Sequence, residues 1–166
     1  MAVTPSGALP RHIKLLVLDV DGVLTDGSIL YGMRGEQYQR FHVRDGYGIK
    51  QWINKGLYVG IISGRSCNAT ITRLQELGIT HMHLGVSEPK DRVLSRLMSS
   101  LGVAPDNVAV MGDDVPDLPM FTLAGYSIAP ADAEPTVLKE ADIVTTRTGG
   151  NGAVREAIDH LLASIQ

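Results

Sequence analysis

Two acids set two residues apart, Asp19 and Asp21, follow the apolar run Ile13-Lys14-Leu15-Leu16-Val17-Leu18 and precede Gly22. Side chains two apart on an extended chain project to the same side. Two carboxylates placed so repel unless a cation lies between them or one keeps a proton. A third acid, Asp113, follows a second apolar run at 108–111. Three acids with no basic neighbour are costly, but around a metal they make a site. Mg²⁺ suits them: it is a hard ion that takes one or two carboxylates together with water and substrate phosphate. Gly22 permits a sharp turn after the pair.

Ser63 and Lys90 offer the complementary chemistry. Ser63-Gly64-Arg65 follows the apolar run at 57–62, and Lys90 precedes a helical pattern. A phosphoryl group in transfer spreads charge over its equatorial oxygens and is stabilised by positioned donors. Ser63 brings a hydroxyl and backbone N–H groups at a helix start, and Lys90 a full positive charge.

Something must gather these groups. Short apolar runs alternate with amphipathic segments along the chain, which predicts βα units around a parallel sheet flanked by helices. In such a sheet ligands collect beyond the carboxyl ends of the strands. Strands are expected at 13–18, 57–62, 81–84, 108–111, 126–129 and 143–145. Asp45 is the expected cap of a helix carrying Ile49, Trp52 and Ile53, with Gly56 at its end. Further helices are expected at 68–77, through Val93, Leu94, Leu97 and Leu101, at 116–124, and at 153–164. A hairpin across Gly32 and Gly35 fits the segment 27–43. The domain expectation is a single α/β unit over 1–166, with this hairpin inserted after the first strand and a tail from about 149.

Bulk composition narrows the partners. The 166 residues are 44% hydrophobic and 20% charged, with a net charge of −3 and no long run of one sign. No nucleic-acid or membrane partner is implied. The apolar stretches fall far short of the ~20 residues a membrane span needs. Residues 1–11 do not resemble a signal peptide, and the single cysteine, Cys67, fits a reducing compartment. A cytoplasmic location is expected. His12, His81, His83 and His160 show no metal-binding spacing.

Taken in order, Asp19-x-Asp21-Gly22-x-Leu24-Thr25-Asp26, Ser63-Gly64-Arg65, Lys90 and Gly112-Asp113-Asp114-x-x-Asp117 resemble the four motifs of haloacid dehalogenase phosphatases. Gly35-Glu36, the run Phe41-His42-Val43-Arg44-Asp45-Gly46-Tyr47-Gly48-Ile49-Lys50 and the stretch Gly149-Gly150-Asn151-Gly152-Ala153-Val154-Arg155-Glu156 are most similar to the family acting on 3-deoxy-D-manno-octulosonate 8-phosphate. The resemblance implies that Asp19 is the nucleophile and Asp21 the general acid and base, with Ser63 and Lys90 completing the catalytic set. It implies Mg²⁺ held by Asp19, the backbone carbonyl of Asp21, and Asp113, with Asp114 and Asp117 supporting that shell. It implies that His42, Val43, Arg44, Asp45, Gly46, Lys50, Arg65 and Arg73 line a sugar-acid pocket together with Asp21 and Lys90. Basic groups there suit a substrate carrying both a carboxylate and a phosphate.

Between Asp21 and Ser63, and again between Ser63 and Lys90, the expected elements use all the chain, so no cap domain fits. The resemblance implies that neighbouring subunits of a homotetramer cover the active sites at their interfaces. The hairpin would build the assembly, and the C-terminal tail would reach the adjacent site. Two alternatives remain at this level: a phosphatase for another nonulosonate phosphate, such as a sialic-acid-like 9-phosphate, and a receiver-type phosphoacceptor domain. Receivers lack a second acid two residues after the acceptor, so Asp21 is the discriminating residue.

Overall fold

Alternation along the first apolar run divides it between two cores, and the architecture follows. In the computed structural model, which describes residues 12–164, β1 (Leu15–Leu18) is buried along its whole length. Leu16 and Leu18 enter one core, Leu15 and Val17 the other, as successive pleat positions require. A strand apolar on both faces needs helices on both.

The chain continues through β2 (Leu30–Tyr31), β3 (Gln37–Tyr38), α1 (Val43–Asn54), β4 (Tyr58–Ser63), α2 (Asn68–Glu76), β5 (His81–Leu84), α3 (Lys90–Leu101) and β6 (Val108–Met111). It ends with α4 (Leu118–Leu123), β7 (Tyr126–Ala129), α5 (Pro135–Glu140), β8 (Ile143–Val144) and α6 (Ala153–Ala163). The main sheet has the order β5-β4-β1-β6-β7-β8, and every pairing in it is parallel. From β1 the chain lays strands to one side, then returns to lay the rest on the other. That reversal leaves a crevice at the carboxyl ends of β1 and β6, where open α/β sheets bind their ligands. One face is covered by α1, α2 and α6 through Ile49, Trp52, Leu74, Val154 and Ile158. The other is covered by α3, α4 and α5 through Leu94, Leu97, Phe121 and Val137. Burying each such side chain contributes roughly 1.5–3 kcal/mol.

β2 and β3 form a separate antiparallel hairpin, closed by Gly32 N–H donating to Glu36 O at 2.7 Å. The expected parallel sheet with helices on both faces and a small hairpin after the first strand is thus present. Among the described residues no cap is inserted between β1 and β6.

Three expectations need correction. The cap of α1 is His42, whose Nδ1 accepts from Arg44 N–H at 3.3 Å, and the helix starts before Asp45. The segment 116–124 opens as a 3₁₀ turn, Val115–Asp117, before α4, and α5 was not foreseen. The segment from Gly149, expected as a tail crossing to a neighbour, folds onto its own chain through residue 164. In α6, Ala153, Val154, Ala157, Ile158 and Leu161 are buried, so its amphipathic face is spent on this chain's core. A β-carbon on Gly149 would lie 1.8 Å from the Gly22 carbonyl oxygen, and Gly150 N–H donates to Val23 O at 3.0 Å. The glycine pair therefore packs directly against the loop after β1. The segment 1–11, read as lacking a signal peptide, and the last two residues of the expected tail lie outside the described residues. No described helix is long and apolar enough to cross a membrane.

Candidate active site

The crevice gathers polar groups from the ends of β1, β4 and β6 and from the start of α3. Asp19 follows β1, its N–H donating to Met111 O of β6 at 3.1 Å. Ser63 closes β4, Lys90 opens α3, and Asp113 follows β6. With Asp21, Arg65 and Asp117 they line one cavity of about 330 Å³.

Charge in this cavity is unevenly matched. Lys90, 8% exposed, places Nζ 2.6 Å from Asp117 Oδ1 and 3.2 Å from Asp19 Oδ2. Asp117 is fully buried, and its Oδ2 accepts from the N–H groups of Asp113 and Asp114 at 3.0 and 3.3 Å. It thereby ties Lys90 to the loop after β6. Burial, then Asp117, pushes the Asp19 carboxyl up from 3.8 to about 7, with Lys90 pulling against them. Burial, then Asp117 and Asp19, pushes Asp113 up to about 7 as well. Burial alone would lower the pKa of Lys90, but Asp19 and Asp117 more than reverse it.

One ammonium does not neutralise three acids, so the cluster keeps protons or takes a cation. Asp19, Asp113 and Asp117 bring carboxylate oxygens within 4.8 Å of one another. Asp19 Oδ1 is buried without a hydrogen-bond partner. Such an atom costs about 1–3 kcal/mol, and a hard divalent ion satisfies it. The residues present therefore fit a metal.

Asp113 owes its position to the absence of a side chain at Gly22. That residue has φ +81°, and a β-carbon there would stand 2.0 Å from Asp113 Oδ2. Gly22→Ala is expected to displace Asp113 and weaken Mg²⁺ binding by about 10–100-fold, measured by isothermal titration calorimetry. Unchanged affinity would show that Asp113 does not hold the ion.

Asp21 lies outside the carboxylate cluster. Its Oδ2 meets Arg65 Nε at 3.2 Å, and its Oδ1 accepts from Gln39 Nε2 at 2.8 Å. Each of the two acids has its own basic partner, Lys90 for Asp19 and Arg65 for Asp21. Gln39 was not singled out in the sequence. It sits beyond the second hairpin strand in no motif, and only tertiary contact reveals it.

The expected sugar-acid residues divide. Arg65 lines the cavity. His42, Val43, Arg44, Asp45, Gly46, Lys50 and Arg73 are not among its lining residues. Val43, Arg44 and Lys50 are exposed. Arg73 lies against Gly46 and pairs with Glu76 at 3.3 Å. Asp45 is buried, accepting from Gly152 N–H at 3.2 Å and Arg155 N–H at 2.8 Å. It caps α6, whose own N-cap, Gly152, has no side chain to offer. Burial raises the Asp45 pKa despite those bonds.

Fold and cavity together place the chain in the haloacid dehalogenase class of hydrolases. The family pattern for haloacid dehalogenase-like hydrolases matches residues 82–158. The chain is 47% identical over 155 residues to 3-deoxy-D-manno-octulosonate 8-phosphate phosphatase KdsC of Escherichia coli (strain K12), covering 93% of this chain and 82% of that protein. The crystal structure of the Moraxella catarrhalis 3-deoxy-D-manno-octulosonate 8-phosphate phosphatase, in complex with a magnesium ion, a phosphate ion and a KDO molecule, superposes with a TM-score of 0.91 at 38% identity, covering 94% of this chain and 89% of that one. The cobalt-bound phosphatase of Haemophilus influenzae gives 0.88 at 41% identity, covering 92% and 89%. This chain belongs to the family of 3-deoxy-D-manno-octulosonate 8-phosphate phosphatases. That membership leaves the receiver-type alternative without support.

Proposed function

We propose that this protein hydrolyses 3-deoxy-D-manno-octulosonate 8-phosphate to the free sugar acid and phosphate, a step toward the lipopolysaccharide inner core. The observation that carries the reading is the buried Asp19 carboxylate, paired at one oxygen with Lys90 and unpartnered at the other, in a member of this family.

Asp19 and Asp113, with the backbone carbonyl of Asp21, are the groups that would hold Mg²⁺. Asp117 has both oxygens committed to Lys90 and the backbone and acts as their support. When bound, the ion supplies positive charge against the carboxylates and the phosphoryl oxygens. The Asp19 carboxylate attacks phosphorus as the ester P–O bond breaks, and the leaving alkoxide takes a proton from Asp21. Water then attacks phosphorus while giving a proton to Asp21; the Asp19–phosphorus bond breaks and phosphate is released. The Ser63 hydroxyl and the Lys90 ammonium steady the transferring group, and losing one such donor costs about 3–4 kcal/mol of transition-state stabilisation. Arg65, at the cavity wall, is placed to meet the sugar acid.

A panel of phosphorylated sugars and sugar acids, assayed with Mg²⁺ and again with EDTA, tests the reading. The 8-phosphate is expected to give the highest kcat/KM, with a loss of about 100-fold or more on chelation. Preference for a sialic-acid-like 9-phosphate would move the substrate within its class. No phosphate release from any ester would sink the proposal.

The same reading extends to assembly as a homotetramer with active sites at subunit interfaces. On the hairpin and its approach, Leu30, Tyr31, Met33 and Tyr38 are more than half exposed, Met33 completely so. Leu30 and Tyr38 pair across the hairpin, and exposed apolar side chains grouped this way suit an interface. Exposed Val43, Arg44 and Lys50 would reach a substrate only where subunits meet. Sedimentation velocity is expected to show a tetramer. A fully active monomer would refute the shared site.

A further inference from the structure

We propose that Gln39 is a positioning residue that aims the Asp21 carboxyl at the leaving group, an inference resting on the phosphatase reading above. Its Nε2 donates to Asp21 Oδ1 at 2.8 Å. The direction of an amide is ambiguous by itself, but here the Asp21 carboxylate, which only accepts, fixes it. Gln39 Oε1 accepts from the hydroxyl of Thr70 and from the thiol of Cys67 at 3.1 Å. Thr70 is 3% exposed, and its hydroxyl also meets Cys67 Sγ at 3.3 Å. Both groups sit at the start of α2, anchored to the core through Leu74. With its N–H turned to that carboxylate, the amide keeps its oxygen for the hydroxyl and the thiol behind it.

The other partner of Asp21 is of a different kind. Arg65 meets Oδ2 at 3.2 Å with a side chain 40% exposed, and it lies on the cavity wall, where a substrate anion competes for it. An exposed ion pair of this sort is weak and exchangeable. A group that gives up and takes back a proton in each turnover needs one constant contact that does not change its charge. A neutral amide supplies this, donating to Oδ1 and keeping the carboxyl's aim while Oδ2 faces the cavity wall at Arg65.

Two esters separate aiming from general support. The alkoxide of a sugar phosphate must be protonated as it leaves, whereas p-nitrophenolate leaves without a proton. Single-turnover rates with Mg²⁺ are measured on 3-deoxy-D-manno-octulosonate 8-phosphate and on p-nitrophenyl phosphate. Gln39→Leu is expected to slow the sugar ester by about 10–100-fold and the aryl ester by no more than about threefold, with KM unchanged for both. Thr70→Val touches Gln39 but not Asp21, and is expected to give the same split at about three- to tenfold. Equal losses on both esters, or wild-type rates from either variant, would overturn the role of Gln39. Wild-type protein inactive on both esters would instead remove the phosphatase reading, and this inference with it.

Discussion

Asp19→Asn is expected to lose turnover by about 10⁴-fold or more in a protein that remains fully folded. An amide is no nucleophile toward phosphorus at neutral pH, and the other acid on Lys90, Asp117, has both carboxylate oxygens committed to Lys90 and the backbone. The effect on stability has the opposite sign. Folding raises the Asp19 pKa from 3.8 to about 7, first through burial and then through Asp117. The folded state therefore holds that proton more tightly than the unfolded chain. The resulting advantage is full below pH 3.8 and is lost as the pH climbs through about 7. A neutral side chain escapes that loss. Melting curves in EDTA should show the variant gaining on wild type between pH 5 and pH 8, and adding Mg²⁺ should favour wild type again. A variant that keeps its turnover would remove Asp19 as the nucleophile.

Ending the chain after Gly149 is expected to abolish cooperative unfolding. The cut removes Val154, Ala157, Ile158 and Leu161, all essentially fully buried, and leaves the buried Asp45 without the N–H groups it accepts from. Losing a large buried aliphatic side chain costs about 2–5 kcal/mol. Three of them, with the cap, match the roughly 5–15 kcal/mol that holds a domain together. Circular dichroism should show a broad, shallow melt in place of a sharp one. A sharp transition near the wild-type temperature would show that the core folds without α6.

The strands were legible where an apolar run is bracketed by turn residues, and His81–Leu84, Val108–Met111 and Tyr126–Ala129 fall where the pattern put them. Asp19, Ser63 and Asp113 reached the cavity because the carboxyl ends of β1, β4 and β6 open on the crevice. What stayed hidden depends on partners remote in sequence. Asp45 has the residue type of a local cap, yet it serves a helix whose N-cap lies 107 positions later. Cap preference is a local rule, and a glycine-led helix elsewhere outcompetes it. Gln39 belongs to no motif, because its value depends on Cys67, Thr70 and Asp21 converging around one amide. The glycines at 149 and 150 open the segment expected as a tail, and the fold needs them for close approach to another stretch of backbone.

That close approach orders events during biosynthesis. A nascent chain leaves the ribosome from its N-terminus and folds as it emerges. The loop bearing the nucleophile is made before its packing partner, which follows more than a hundred residues later. Until 149–163 clear the exit tunnel and dock, the polypeptide holds its reactive acid without the backing that shapes it, so catalytic competence waits on that docking.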